Sequence, residues 1–131
     1  MSDPEQARRG RNNRRKGHAF ENTIAAMMRR LGMEARRTIQ SRSGGKEGAD
    51  VAIDGPYFLE CKTGRSPNLW AAMRQARRDC EDTGRVPVVL AHREADLPGQ
   101  RAEEVMVIPM SEGLRLMALD IARWRTEEPP Q

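Results

Sequence analysis

The first apolar stripe of the chain begins at Phe20. Phe20, Ile24, Met27, Met28 and Leu31 recur at i, i+4, i+7, i+8 and i+11, which predicts an amphipathic helix closed by Gly32 as its C′ residue. Residues 1–17 show no apolar periodicity and read as a flexible arm. Residues 33–40 (MEARRTIQ) predict a strand, and the polar, glycine-rich SRSGGKEGAD a loop. Residues 50–54 (DVAID) and 57–62 (YFLECK) read as two short strands around Gly55-Pro56. Ser66-Pro67, an N-cap followed by proline at N1, opens a helix that runs to about Thr83, with Gly84 beyond it. Its core stripe is Leu69, Met73, Ala76 and Cys80. Residues 86–92 and 104–109 predict further strands, a last helix runs from about Ser111 to Trp124, and 126–131 is a tail. The order α-β-β-β-α-β-β-α predicts an α/β fold, a mixed sheet with helices packed on it.

Composition narrows the class. A chain of 131 residues is one domain of ordinary size, and with 4% aromatics its core must come from Met, Leu, Ile, Val and Ala. No apolar run approaches the roughly 18 residues of a membrane span, so no membrane partner is expected. The Arg-rich N-terminus lacks the apolar segment of a secretory signal. Two cysteines, Cys61 and Cys80, make no disulfide framework, and the expected compartment is reducing and cytoplasmic.

Charge changes the picture more. The net charge is +4, and the arm holds Arg8, Arg9, Arg11, Arg14, Arg15 and Lys16 against Asp3 and Glu5, so it carries the whole excess. A basic arm on a near-neutral body points to a polyanion, most simply nucleic acid. A solubilising tail, or a compositional taste for arginine, is the plainer reading. Only Lys16, Lys46 and Lys62 are lysine, against twenty arginines. Arginine is the generic cation here, so each lysine invites a specific question.

Strand 57–62 answers for one of them. Under a period of two, Tyr57, Leu59 and Cys61 face the core, and Glu60 and Lys62 share the other side. In the preceding strand Val51 and Ile53 want the core. Opposed residues of an antiparallel pair share a face, so Val51 should oppose Cys61, or Ile53 oppose Leu59. Either pairing sets Asp50 across from Lys62 and gathers Asp50, Glu60 and Lys62 into one polar patch. The register leaves Gly55, Pro56 and Tyr57 as the loop. Two neighbouring carboxylates repel unless a cation sits between them. Oxygen ligands with room for water suit Mg²⁺, with Mn²⁺ as a substitute. Such a metal acidifies water and stabilises charge on phosphate, and Lys62 would orient the water or stabilise the transition state. A surface salt bridge between Lys62 and either acid remains the ordinary alternative.

At these residues the chain resembles the PD-(D/E)xK nuclease superfamily, through Asp50 followed by Glu60-Cys61-Lys62. The context over roughly 17–92 is similar to Holliday junction resolvases of archaea, their viruses and some phages. It includes Gly17-His18-Ala19-Phe20-Glu21, Gly45…Gly48-Ala49-Asp50-Val51, Leu59-Glu60-Cys61-Lys62-Thr63, Gln75-Ala76 and Val86-Pro87-Val88-Val89. The resemblance implies a restriction-endonuclease-like fold over residues 18–125. It makes Asp50 and Glu60 metal ligands, Lys62 the catalytic lysine, Glu21 a further acidic residue and Gln75 a supporting one. Ala49 stands where the motif has proline, and the Asp-to-Glu spacing is short.

It implies a Mg²⁺-dependent endonuclease acting on DNA, most naturally at four-way or other branched structures in recombination and repair. A junction enzyme cuts two strands, so a homodimer follows, in the host cytoplasm if the chain is viral. Arg14, Arg15, Lys16, Arg36, Arg37 and Lys46 are the expected DNA contacts. Apart from the resemblance, Glu21 is an acid in a first helical turn, and Lys46 sits in a flexible loop that is no P-loop. His18 and His92 with the two cysteines are too scattered for zinc. The last helix has one stripe at Leu114, Met117, Ala118, Ile121 and Trp124, and further leucines, Leu116 and Leu119, on its other side, which suggests a second contact. The competing functions are a nuclease of the same fold for flaps, single strands or duplex, and a non-catalytic DNA-binding or virion protein.

Overall fold

The computed structural model describes residues 3–38 and 49–127. Its elements run α1 (Pro4–Arg30), β1 (Ala35–Arg37), β2 (Val51–Ile53), β3 (Tyr57–Gly64), α2 (Leu69–Cys80), β4 (Val86–Arg93), β5 (Glu103–Val107) and α3 (Met110–Thr126). The five strands form one mixed sheet in the order β1-β2-β3-β4-β5. β3 and β4 are parallel over eight residue pairs, Tyr57–Val86 to Gly64–Arg93, and the other neighbours are antiparallel. The parallel pair needs a crossover, and α2 supplies it.

Two apolar layers hold the helices. Phe20, Ile24, Ala25 and Met28 of α1 pack with Val51, Leu59, Val88 and Leu90 on one side of the sheet. Ala72, Met73, Ala76 and Cys80 of α2 pack with Phe58, Val89 and Ala91 on the other. Strand alternation decides which side chain joins which layer, and Val51 and Val89 are wholly enclosed. Deleting two methyl groups at Val51 would cost about 1–3 kcal/mol in transfer energy alone. Both cysteines are free thiols.

The N-terminal segment departs from expectation. Residues 4–17 are the first half of α1 and not a flexible arm. The Asp3 carboxylate accepts the Glu5 N–H at 3.0 Å, Pro4 occupies the first turn, and the apolar half beyond Phe20 anchors the helix, so the polar half propagates from a nucleus already formed. Periodicity gave no signal because no residue before Phe20 is buried. At the other end Gly32 closes the helix as predicted, at φ +88°. Its N–H reaches the Arg29 carbonyl and that of Met33 the Met28 carbonyl, both at 3.0 Å, a Schellman closure. Met27 and Leu31 are exposed, so the stripe is narrower than expected.

Other boundaries shift by short steps. α2 starts two residues late, because the Asn68 side chain caps it by accepting the Ala71 N–H at 3.0 Å. Strand β1 covers Ala35–Arg37, and the last residues of the predicted 33–40 strand fall outside the described residues. So do Lys46 and nearly all of the glycine-rich loop. Among the described residues no helix is long and apolar enough to cross a membrane.

Candidate active site

The β2–β3 register pairs Val51 with Leu59. This corrects the predicted pairing of Val51 with Cys61 by two residues, and brings Asp50 towards Glu60 in place of Lys62. The hairpin loop is still three residues, now 54–56, because Tyr57 joins β3 to pair with Val86 and the Val86 N–H bonds the Pro56 carbonyl at 2.8 Å. A shift of two preserves side-chain parity, so the core face of each strand is unchanged.

β2 begins at Val51, whereas β3 continues to Gly64, and among the described residues only β4 pairs with that end of it. Asp50 lies at this notch, where β2 stops. The Asp50 N–H donates to the Leu59 carbonyl at 2.9 Å. Its carboxylate Oδ2 accepts the Cys61 N–H, also at 2.9 Å, a ladder donor left without a strand partner there. Thr38, just beyond β1, fixes the other side: its N–H donates to the Asp50 carbonyl at 3.0 Å, and its hydroxyl to the Ala49 carbonyl. Asp50 is thus held by two neighbouring segments and is buried, at 7% exposure.

Glu60, next to Cys61 on β3, is buried as well, at 8%. Lys62 follows at the alternating position and is half-buried. Glu21 comes from α1, the helix that packs on the Cys61 side of the sheet. Its carboxylate lies 3.7 Å from the Arg37 guanidinium. Burial first, then the negative charge of Asp50, push the Glu21 carboxyl above its ordinary value, while Arg37 pulls the other way.

Cys61 stands at the centre. Burial, then Asp50, Glu21 and Glu60 in that order, push its thiol far up, so it stays protonated and is no nucleophile. One residue therefore feels all three acids that the sequence singled out. Glu60 reaches the notch from the α2 side and Glu21 from the α1 side.

The remaining candidates are spread more widely. Gln75 is half-buried on α2, beside the fully enclosed Ala76. Arg36 is exposed on β1. Arg37 is tied to Glu21. Arg14 and Arg15 are exposed on α1, and Lys16 pairs with Glu94 at 3.1 Å. That last contact braces the basic half of α1 against the end of β4. Below it lies a cavity of about 470 Å³ lined by Lys16, Phe20, Thr63, His92 and Glu104. A larger cleft of about 640 Å³ lies around Arg29, Arg36, Asp54 and Arg85, towards the opposite end of β2 and away from the acids. Thr38 is the positioning residue that the sequence did not reveal, since a lone threonine after a strand carries no signal of its own.

Among the described residues no group of three or more His, Cys, Asp or Glu is placed to hold a metal ion together. Magnesium asks for less, because it is commonly held by one or two carboxylates and keeps several waters. Two buried carboxylates, with a third acid in their field, fit that requirement. Searches of family models, of curated proteins and of solved structures find no match to this chain.

Proposed function

We propose that the chain is a metal-dependent DNA endonuclease of the PD-(D/E)xK type, acting at four-way or other branched DNA. The observation that carries this reading is the convergence of Asp50, Glu60 and Glu21 on Cys61, with Lys62 the next outward residue of β3. Acids this close together repel one another, and a cation held between them relieves that repulsion. Asp50 and Glu60 would hold Mg²⁺, with Mn²⁺ as a substitute. The bound ion would acidify a water and neutralise charge on the phosphate.

The protein's own residues do the rest. Thr38 and the Cys61 N–H fix the Asp50 carboxylate, so that little reorganisation is needed when substrate arrives. Lys62 orients the attacking water or meets the developing phosphorane charge. Glu21, whose proton is held more tightly through burial and the charge of Asp50, is placed to exchange a proton at the site. Gln75 supports from α2. The exposed cations of α1, with Arg36, contact the DNA backbone. Cutting two strands of a branch calls for two such sites, hence a homodimer.

The test is cleavage of labelled four-way junction, flap, duplex and single-stranded DNA with Mg²⁺ and with chelator. Metal-dependent nicking of the junction ahead of the others is the expected result. Preference for another form would leave the nuclease and change its substrate. Binding without cleavage of any form would leave a DNA-binding protein of this fold.

A further inference from the structure

Helix α3 buries none of its residues, although seven of its seventeen are large and apolar. Among the described residues its own body partly covers only the first turn, at Glu112 and Gly113. Met110, Leu114, Met117, Ile121 and Trp124 alternate at steps of four and three, and they are 79, 56, 59, 42 and 73% exposed. That spacing is a two-heptad seam with Leu114 and Ile121 at a positions and Met110, Met117 and Trp124 at d. The geometry points to α3 as a self-association helix, which pairs in parallel with α3 of a second copy of this chain.

The flanking charges select both the partner and the direction. Asp120 occupies a g position and Arg125 the e position five residues on, the pair that meets across a parallel two-stranded seam. A two-fold axis makes the contact twice, Asp120 to the partner's Arg125 and the reverse. Neither residue forms an ion pair inside its own chain among the described residues. An antiparallel pair over the same seam would set Asp120 beside Gly113 and forgo that contact. A partner of different sequence would need its own matching seam, whereas a second α3 supplies this one. The inference does not depend on the nuclease reading, since it is tested without DNA or metal.

The experiment is sedimentation velocity of the full chain over a range of concentrations, with far-UV circular dichroism as the check on folding. The wild-type chain is expected to be a dimer. Met117→Glu puts a charge into the seam and should weaken the dimer by about a hundredfold or more. Leu119→Glu, on the opposite side of the helix, should leave it intact. Asp120→Arg and Arg125→Asp should each weaken it by about tenfold, and the double exchange should restore it. A wild-type monomer throughout the range would overturn the proposal. So would a folded Met117→Glu dimer of undiminished affinity, equal damage from Leu119→Glu, or a double exchange that restores nothing.

Discussion

Asp50 accepts a backbone hydrogen bond and carries a charge, and two substitutions separate these roles. Asp50→Asn and Asp50→Ala both remove the charge and the proposed metal ligand. Only asparagine keeps an oxygen for the Cys61 N–H, which now lies 2.9 Å from Oδ2. Relief of repulsion with Glu21 and Glu60 is common to both variants and cancels in the comparison between them. What remains is a buried strand N–H with or without its acceptor, worth about 1–3 kcal/mol. For a domain of this size that is about 4 °C of melting temperature per kcal/mol, so alanine should melt about 4–12 °C below asparagine. Cleavage should fall by at least about a hundredfold in both, with no difference of that kind between them. Added Mg²⁺ should raise the melting temperature of the wild-type chain, by linkage, and leave both variants unmoved. Thermal scans with and without Mg²⁺, together with single-turnover cleavage of a junction, measure all three. Coincident melting of the two variants would refute the hydrogen-bonding role, and wild-type cleavage by Asp50→Asn would refute the site.

Lys62→Ala should bind DNA normally, cut at least about a hundredfold more slowly and melt within about 2 °C of the wild type, because the lysine is half-exposed and outside both apolar layers; full activity would remove it from the mechanism. The raised Glu21 pKa means that the folded state holds this proton more tightly than the unfolded chain. Its contribution to stability is therefore present below the ordinary value of 4.5 and lost as pH rises through the higher folded value. Urea midpoints followed from about pH 4 to about pH 7 should show that loss in the wild type, and a flatter profile in Glu21→Gln. Deleting residues 1–16, which removes six cations, should weaken DNA binding and flatten the dependence of log affinity on log salt, while the cutting rate of saturated DNA changes little. Unchanged affinity at every salt concentration would assign the DNA surface to the folded body.

How much of this was legible in the sequence varies with the physical signal behind each element. The closure at Gly32 and the alternation that sends Leu59 and Glu60 to opposite sides rest on steric and periodic rules that local sequence obeys, and both were readable. The register was not. Val51 finds an equally apolar partner at Leu59 or at Cys61, and the choice falls to β4, which extends β3 back to Tyr57 through a parallel ladder invisible to local pattern. That error left the faces of Asp50, Glu60 and Lys62 unchanged, because a slip of two residues keeps parity. Helix α1 could not be traced back to Pro4, since a polar helix grown from an anchored half leaves no stripe to read. Nor could Thr38 be found, because its bonds to residues 49 and 50 join positions eleven and twelve residues apart.

The continuity of α1 alters what its cations can do. A disordered tail would hold phosphate anywhere within its reach. A helix advances about 1.5 Å per residue, so Lys16 stands about 8 Å and Arg8 about 20 Å from Glu21 along one axis. On a duplex lying parallel to this axis those distances would span about two and about six base pairs, at about 1.7 Å of axis per charge over both strands. In a nuclease built this way the N-terminal rod is a ruler: it sets how long an arm of duplex must be before the branch is gripped. Shorter arms would then lose affinity stepwise as individual cations run out of phosphate.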